Sequence, residues 1–447
     1  MTEKSFYLVS LGCAKNTVDS ASISQLLIEN GYTQTDKPVS ADLLIVNTCG
    51  FIQPARDEAI ETLQKLARKK RRTQLLIAAG CMAQRYGSSL AKQINGLDGI
   101  IGTRRWMDML EFVQQVRERK PPAPVFHIPE TADSVGTDER GIMRTAIQGK
   151  SAYLKIADGC HRPCAFCSIP LIKGTTVSRP MPLILEEART LQKAGIQELI
   201  LIAQDTTAYG LDMGIKDGLP TLLENLSREI PQIPWIRILY TFPGFISDRL
   251  IDVMANSHQI LHYLDIPLQH AHPDTLIRMK RPANMDWVYR TITKMRTAMP
   301  DLAIRTTFIA GYPGETEAEF NTLLEFVKEI RFDHVGVFPF YFEPGTSSEP
   351  LGDPVSSETK QSRVESLMLL QEDISQERNR TWIGRSLDML VEGQNEQILV
   401  GRSYRDAPEI DGMVFAEGKA MTGEMIPVQI TGAMPHDLIG HRIIPGA

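Results

Sequence analysis

The sequence predicts an α/β protein that carries a small β-barrel at its C-terminal end. Over most of the 447 residues, short apolar runs alternate with amphipathic helical patterns, which is typical of parallel sheets covered by helices. Residues 385–443 differ, because they contain about five short β-like runs with almost no helical periodicity. We therefore predict an N-terminal doubly wound parallel sheet, a partial (β/α)6 barrel and a small antiparallel β-barrel of the OB type.

The first predicted domain comprises residues 4–118. Its apolar runs are candidates for parallel strands, and the patterns between them have the period of amphipathic helices. The predicted strands are 6–11, 42–46 and 74–79, and the clearest helical patterns are 17–30 and 54–70. Residues 119–145 follow as a predicted linker, because four prolines and then a polar stretch interrupt the alternation.

The second predicted domain, residues 146–378, resumes the alternation of strands and helices. Its six candidate strands are too few for a closed eight-stranded barrel, so we expect an open, partial one. These strands are 152–157, 198–203, 235–240, 261–266, 303–309 and 334–339. Residues 379–447 form the third predicted domain, the small β-barrel.

The composition excludes some classes of function. A net charge of −6 argues against a protein that coats nucleic acid, since phosphate binding needs a concentrated positive field. No apolar run approaches the ~18 residues of a membrane span and no signal-peptide pattern is present, so we expect a cytoplasmic protein with no membrane partner. In that reducing compartment, the six cysteines are expected to serve metal or redox chemistry rather than disulfides.

Cys160, Cys164 and Cys167 are spaced C-x3-C-x2-C on a loop directly after a predicted strand. Three thiolates can bind three irons of a [4Fe–4S] cluster, whereas ligation by four cysteines is usual, so one iron stays open. The pattern resembles the radical S-adenosylmethionine (SAM) class, in which SAM binds the open iron and is cleaved to a deoxyadenosyl radical. The alternatives are a zinc site, for which His161 is the adjacent further ligand, or three unligated buried cysteines.

A second set of cysteines, Cys13, Cys49 and Cys81, is spread along the first domain, yet each follows a predicted strand. Because open parallel sheets gather ligands outside the carboxyl ends of their strands, the three thiols are expected to meet at one edge. A glycine adjoins each cysteine and allows close backbone approach. We therefore predict a second, auxiliary [4Fe–4S] site; the alternative is three small apolar side chains at strand ends.

Two three-cysteine sets, a partial barrel and a small β-barrel together resemble the methylthiotransferase family of radical SAM enzymes. Its members combine an N-terminal methylthiotransferase domain, a radical SAM core and a C-terminal TRAM domain, so the resemblance covers essentially the whole chain. The resemblance implies two [4Fe–4S] clusters, with SAM as both radical source and methyl donor. The segments that match the family's motifs are 11–20, 47–49, 79–81 and 311–316.

The family has two main branches. One modifies an adenosine of transfer RNA (MiaB-like), and the other modifies an aspartate of small-subunit ribosomal protein twelve (RimO-like). From residue 381 to 447, nine acidic residues stand against five basic ones, which suits a basic protein partner better than RNA, although a merely soluble surface is the alternative. The segments that resemble the RimO-like branch are 203–207, 238–243, 264–270 and 406–412.

For this branch, the resemblance implies that a methylthio group replaces a hydrogen on the β-carbon of the aspartate. The auxiliary cluster supplies or carries the sulfur, a flavodoxin or ferredoxin is the implied reductant, and the ribosomal protein is met free or on the ribosomal subunit. The transfer-RNA activity is the alternative. One feature favours contact with RNA: six basic residues lie within residues 65–72, although a solvated helix end is the simpler interpretation.

Several further residues are candidates for contact with SAM or substrate. The aromatic one lies between two cluster ligands and is expected near the SAM adenine, and the two amides lie at or just beyond strand ends. The two arginines are suited to carboxylates and the two glycines to close backbone approach, and for each of these residues a structural role is the alternative. These candidates are Phe166, Gln204, Gln269, Arg179, Arg305, Gly311 and Gly314.

Overall fold

The computed structural model describes residues 4–118, 124–129 and 140–444, which form three sheet-based units in chain order. The strands are β1 (Lys4–Ser10), β2 (Tyr32–Gln34), β3 (Leu43–Thr48), β4 (Leu75–Gly80), β5 (Gly99–Gly102), β6 (Val125–His127), β7 (Thr145–Gln148), β8 (Ser151–Lys155), β9 (Ala157–Asp158), β10 (Val177–Ser178), β11 (Glu198–Ile202), β12 (Trp235–Ile238), β13 (Ile260–Asp265), β14 (Ala303–Ala310), β15 (His334–Pro339), β16 (Ser386–Asn395), β17 (Ile398–Ser403), β18 (Val414–Glu417), β19 (Met425–Ala433) and β20 (Leu438–Arg442). The α-helices are α1 (Ala14–Glu29), α2 (Gln53–Lys69), α3 (Cys81–Gln93), α4 (Met109–Glu118), α5 (Ile169–Lys173), α6 (Met181–Lys193), α7 (Gly218–Glu229), α8 (Asp248–Ala255), α9 (Pro273–Arg278), α10 (Met285–Ala298), α11 (Glu317–Ile330) and α12 (Ser357–Arg380).

The first unit is a parallel sheet in the order β2-β1-β3-β4-β5-β6, which confirms the predicted doubly wound sheet. The strand order reverses between β1 and β3, as in flavodoxin-like sheets. The run Leu43–Val46 is buried throughout, because its alternate side chains enter two apolar clusters on opposite faces of the sheet. Each of β2, β5 and β6 has only three or four residues, too few to give a clear pattern in the sequence.

The predicted linker, 119–145, is described only at 124–129 and 140–145. Within it, Val125–His127 forms an edge strand that pairs in parallel with β5, because its backbone groups satisfy the open edge of the first sheet. Residues 119–123 and 130–139 lie outside the described residues. The domain boundaries derived from the sequence otherwise stay predictions.

The second unit is an open seven-stranded sheet in the order β15-β14-β13-β12-β11-β8-β7. Six of its strands are parallel and correspond to the six predicted ones, so the partial barrel is confirmed. β7 adds an antiparallel edge through a hairpin with β8. Helices cover the outer face through a large apolar cluster, which leaves the carboxyl ends of the parallel strands for function.

The third unit is a closed barrel in the order β16-β17-β18-β20-β19, as predicted. Four of its strand pairs are antiparallel, but β18 and β20 pair in parallel, because that is the contact through which the barrel closes. One apolar cluster joins all three units and includes Val18 of α1, Tyr263 of β13 and Leu390 of β16. In the part of the chain that the structure describes, no helix is both long and apolar enough to cross a membrane.

Candidate active site

The three cysteines of the first unit lie at the carboxyl edge of its sheet. Cys13 is the N-cap of α1 just beyond β1, Cys49 directly follows β3, and Cys81 begins α3 directly after β4. Because β1, β3 and β4 are neighbours, the chain brings these residues together at the reversal of strand order, where such sheets bind ligands. Cys13 is exposed, and the other two are partly buried.

Glycines allow these strand ends to come close. Gly12 has a φ of +93°, and a Cβ atom added to it would lie 2.7 Å from the Cβ and 3.0 Å from the Sγ of Cys49. Gly80 has a φ of +95°, and a Cβ there would lie 2.7 Å from the carbonyl oxygen of Thr48. A larger side chain at either position would force the strand ends apart.

The thiols at this edge interact with one another. Burial raises the pKa of Cys81 to about 12; nearby Lys173 opposes this shift, and Cys49 and Cys13 add to it. Burial also raises the pKa of Cys49. Because the thiolate is the metal-binding form, ionisation of these groups needs a compensating positive charge, which an iron cluster would provide.

The second set of cysteines lies on the loop between β9 and α5, beyond the carboxyl end of β8. The backbone N–H of Cys160 donates to Gly174, and that of Cys167 donates to Cys164, over 3.0 and 3.1 Å. Arg281 Nη1 approaches Cys164 Sγ at 3.5 Å, so a fixed cation adjoins this triad. Burial raises the pKa of Cys160 to about 11 and that of Cys167 to about 12.

Sulfur spacing separates the two metal hypotheses for each triad. A single zinc ion with bonds of about 2.3 Å would hold its sulfur ligands within about 4 Å of one another. Among the described residues, which include all six cysteines, only His272, Asp274 and Glu319 place three such ligand atoms within 4.8 Å of one another. As placed, neither cysteine triad therefore has the sulfur spacing of a single zinc site, and the two iron–sulfur clusters stay a prediction.

The two candidate arginines already have acidic partners. Arg179 is fully buried, and its Nη1 donates to Glu187 over 2.9 Å. Arg305 approaches Asp265 at 3.3 Å and Asp411 at 3.2 Å. Both guanidinium groups therefore hold parts of the fold together, and their contact with SAM or substrate stays a prediction.

The two candidate amides lie at the carboxyl edge of the second sheet. Gln204 follows β11, and its Oε1 atom is buried without a hydrogen-bond partner among the described residues. Such an atom is costly unless a ligand or water satisfies it. Gln269 has a φ of +77° and bridges by its backbone to Phe308 of β14. Of the two, Gln204 has the stronger structural case for binding a ligand.

The remaining candidates line or support the same edge. Phe166 packs on an apolar cluster with Tyr312 and Phe340, which gives the cysteine loop an apolar wall. A Cβ on Gly311 would overlap Lys360 Cγ at 2.4 Å, so this glycine allows close packing against α12. Gly314 has a φ of +80°, and its carbonyl accepts a hydrogen bond from Arg278.

The carboxyl edges of the first two sheets face each other. Lys15, two residues beyond Cys13, places its Nζ 2.9 Å from the ring centre of Tyr240, which lies beyond the end of β12. Arg85 of α3 pairs at 3.1 Å with Glu343, which follows β15. The two cysteine triads therefore lie on facing edges of the first and second units, and we call the space between these edges the gap.

A buried ionic cluster beside this gap is not evident from the sequence. Asp19 of α1 forms ion pairs with Lys155 of β8 and, at 2.8 Å, with Lys173 of α5. Asp158 also pairs with Lys173, at 3.2 Å. Arg144 joins both acids. These side chains are at most 3% exposed, so their pairing ties α1 to the second sheet. The only signal in the sequence is that charged residues interrupt otherwise apolar patterns.

Comparison with known proteins shows the family to which the chain belongs. Residues 5–102 match the model of "Uncharacterized protein family UPF0004", 154–327 the Radical SAM superfamily and 383–443 the TRAM domain. The ribosomal protein uS12 methylthiotransferase RimO of Chloroflexus aurantiacus is 46% identical, over 98% of this chain and 99% of that relative. The RimO protein of Roseiflexus sp. is 43% identical, over 98% and 97%. The chain belongs to the RimO family.

Membership in the RimO family makes the chain a radical SAM methylthiotransferase, as the resemblance in the sequence predicts. An iron–sulfur cluster and SAM are therefore its cofactors. Two solved structures of the radical SAM methyltransferase TsrM from Kitasatospora setae have a similar fold. One, with tryptophan and a SAM analogue bound, has a TM-score of 0.59 and 13% identity, over 88% of this chain and 79% of that one. The other, with cobalamin and a [4Fe–4S] cluster, has a TM-score of 0.57 and 15% identity, over 78% and 77%.

Proposed function

We propose that this RimO-family chain adds a methylthio group to the β-carbon of an aspartate in ribosomal protein uS12, using two [4Fe–4S] sites. The observation that carries the proposal is that two three-cysteine groups border one gap between facing sheet edges. A substrate side chain that enters this gap therefore lies between both sites. The substrate itself is supported by the names of relatives that share nearly the whole chain.

Each cysteine group has a distinct role in this proposal. Cys160, Cys164 and Cys167 would bind the radical cluster together with SAM, and the first-unit group would bind the auxiliary cluster. When bound, the first cofactor set supplies an electron for the reductive cleavage of SAM, and the second supplies a site for sulfur. A second SAM is the methyl donor.

The protein contributes binding, orientation and the exclusion of water. The guanidinium of Arg281 stands 3.5 Å from Cys164 Sγ, where it would donate a hydrogen bond to a sulfur that holds the cluster. The unpartnered Oε1 of Gln204 is available to a donor group of SAM or substrate. The apolar wall around Phe166 keeps water from one side of the cysteine loop, which protects reactive intermediates.

The proposed partners follow from charge and chemistry. A C-terminal barrel with nine acidic and five basic residues from 381 onward is suited to a basic ribosomal protein. An electron must be delivered from outside the chain, and a flavodoxin or ferredoxin is the proposed donor. We propose that the enzyme works in the cytoplasm, where these partners and ribosomes are found together.

A direct assay tests the proposed reaction. The protein is reconstituted anaerobically with iron and sulfide, given SAM and a reductant, and offered either unmodified uS12 or unmodified transfer RNA. Mass spectrometry then locates any added methylthio group. Addition to an aspartate of uS12, with transfer RNA unchanged, is the expected result. Addition to adenosine alone would preserve the radical chemistry and overturn the proposed substrate.

A further inference from the structure

Lys15 has no ion-pair partner among the described residues, and it lies where the first and second units meet. It lies on the first turn of α1, two residues beyond Cys13 and on the carboxyl edge that faces the second unit. Its Nζ stands 2.9 Å from the ring centre of Tyr240. Among the described residues, no carboxylate oxygen lies within 4 Å of this ammonium group, and it makes no hydrogen bond.

Three neighbouring cations, unlike Lys15, are paired with acids. Lys155 and Lys173 share Asp19 and Asp158, and Arg305 has two acidic partners. Buried or half-buried charges are normally compensated in this way, because removing an ion from water is costly. The aromatic face of Tyr240 stabilises the ammonium group without supplying a counter-charge.

An aspartate substrate supplies the missing charge. Its carboxylate is bonded directly to the β-carbon that the proposed reaction modifies, so a cation that fixes the carboxylate also fixes that carbon and its hydrogens. A charge-assisted hydrogen bond in a partly desolvated gap is stronger than a neutral one and directional enough for this purpose. An adenosine has no such group, so the same cation also favours one class of substrate over the other.

We propose that Lys15 binds the side-chain carboxylate of the aspartate that is modified and thereby holds its β-carbon in the gap between the two cysteine triads. This inference rests on the proposed function, and it adds a residue that selects the substrate. The carboxylate replaces the aromatic ring as the principal partner of the ammonium group. Asp265 and Asp158 act electrostatically on the ammonium group, but neither lies within 4 Å of it, so its close contacts leave room for one carboxylate.

The test compares binding of two forms of uS12, with aspartate or with asparagine at the target position. Affinities are measured anaerobically on the holoenzyme with SAM but without reductant, so that no turnover occurs. The wild-type enzyme is expected to prefer aspartate by about tenfold or more, the ratio for one charge-assisted hydrogen bond. Lys15→Met is expected to bring this ratio close to one, and Lys15→Arg to restore part of it.

The control is Lys65→Met, which removes the same charge from an exposed position on α2 and is expected to keep the wild-type ratio. Iron content per chain confirms that each variant carries its clusters. If Lys15→Met loses iron, the affinity ratio is measured with Lys15→Gln instead, which also removes the charge but keeps a polar group. A charge-neutral variant that carries full iron and keeps the wild-type preference would overturn the role of Lys15.

The two proposals fail in different ways. A wild-type enzyme that modifies the aspartate of uS12 but binds both forms equally would overturn the role of Lys15 and leave the proposed function intact. A wild-type enzyme that modifies transfer RNA and ignores uS12 would overturn the proposed function, and the role of Lys15 with it.

Discussion

Arg402 of the C-terminal barrel donates a 2.7 Å hydrogen bond to Glu198 at the start of β11, and both side chains are almost completely buried. Arg237 of the neighbouring strand β12 donates to the other oxygen of the same carboxylate, also over 2.7 Å. The carboxylate is therefore held from two units, and the barrel has a fixed orientation on the radical SAM sheet. This buried ion pair joins the barrel directly to the second sheet, so the two units form one packed structure.

Removing one partner from this contact should destabilise the protein strongly. We expect Arg402→Met to lower the free energy of unfolding by about 3 kcal/mol, because it leaves a buried carboxylate with one of its two cations. Urea denaturation followed by tryptophan fluorescence measures the change. Arg189→Met is the matched control, since Arg189 and Glu229 pair at 2.8 Å with both side chains more than 40% exposed, and its loss should change stability by less than about 1 kcal/mol. Equal effects in the two variants would contradict this interpretation.

The same carboxylate predicts a dependence of stability on pH. Burial alone would raise the pKa of Glu198, but Arg237 and Arg402 lower it from the usual 4.5 to about 2. Because the folded-state pKa is the lower one, the ionised group stabilises the fold above about pH 4.5, and this contribution is lost as the pH falls toward 2. Iron-free wild type and Glu198→Gln are unfolded in urea between pH 7 and pH 3. We expect a constant stability difference down to about pH 4.5 and a shrinking one below it, whereas a difference independent of pH would refute the assignment.

Single cysteine variants should separate the two proposed cluster sites. Cys160→Ala is expected to abolish 5′-deoxyadenosine formation from SAM, because its triad would hold the radical cluster. Cys49→Ala is expected to keep SAM cleavage but to stop methylthio transfer. Each variant should bind about half the iron of the wild type, since each would lose one of two four-iron sites. Iron analysis and product analysis by mass spectrometry check both, and methylthio product from Cys49→Ala at the wild-type rate would refute the auxiliary role.

A glycine comparison tests whether the strand ends must meet at the first triad. Gly12 and Gly31 have φ values of +93° and +81°, so an alanine at either site should cost about 1–2 kcal/mol in backbone strain. Only at position 12 would the added Cβ contact Cys49, whereas no described residue lies within 4 Å of a Cβ added at position 31. We expect Gly12→Ala to lose iron from the first-unit site and Gly31→Ala to keep it. Equal iron content in both would show that the close approach is not needed.

Much of the fold could be predicted because periodicity is a local property of the chain. The predicted strand 198–203 corresponds to β11, and 334–339 corresponds to β15, since apolar strands between amphipathic helices are recognisable from a few adjacent residues. The hairpin strand β7 and the edge strand β6 could not be recognised in this way. They have four and three residues, and pairing with neighbours rather than their own pattern makes them strands.

The sequence by itself determined the positions of the cysteines relative to the strands, because a residue that ends a parallel strand must lie at its carboxyl edge. Only the tertiary structure decided the partners of the charged side chains. Arg179 and Arg305 have the same charge in any fold, yet both are paired with acids here, whereas Lys15 faces an aromatic ring. Contacts of this kind join residues that are distant in sequence, as in the buried pair of Asp19 and Lys173, and no local pattern contains them. They depend on how the packed units meet, and in this protein that meeting forms the gap in which the proposed chemistry takes place.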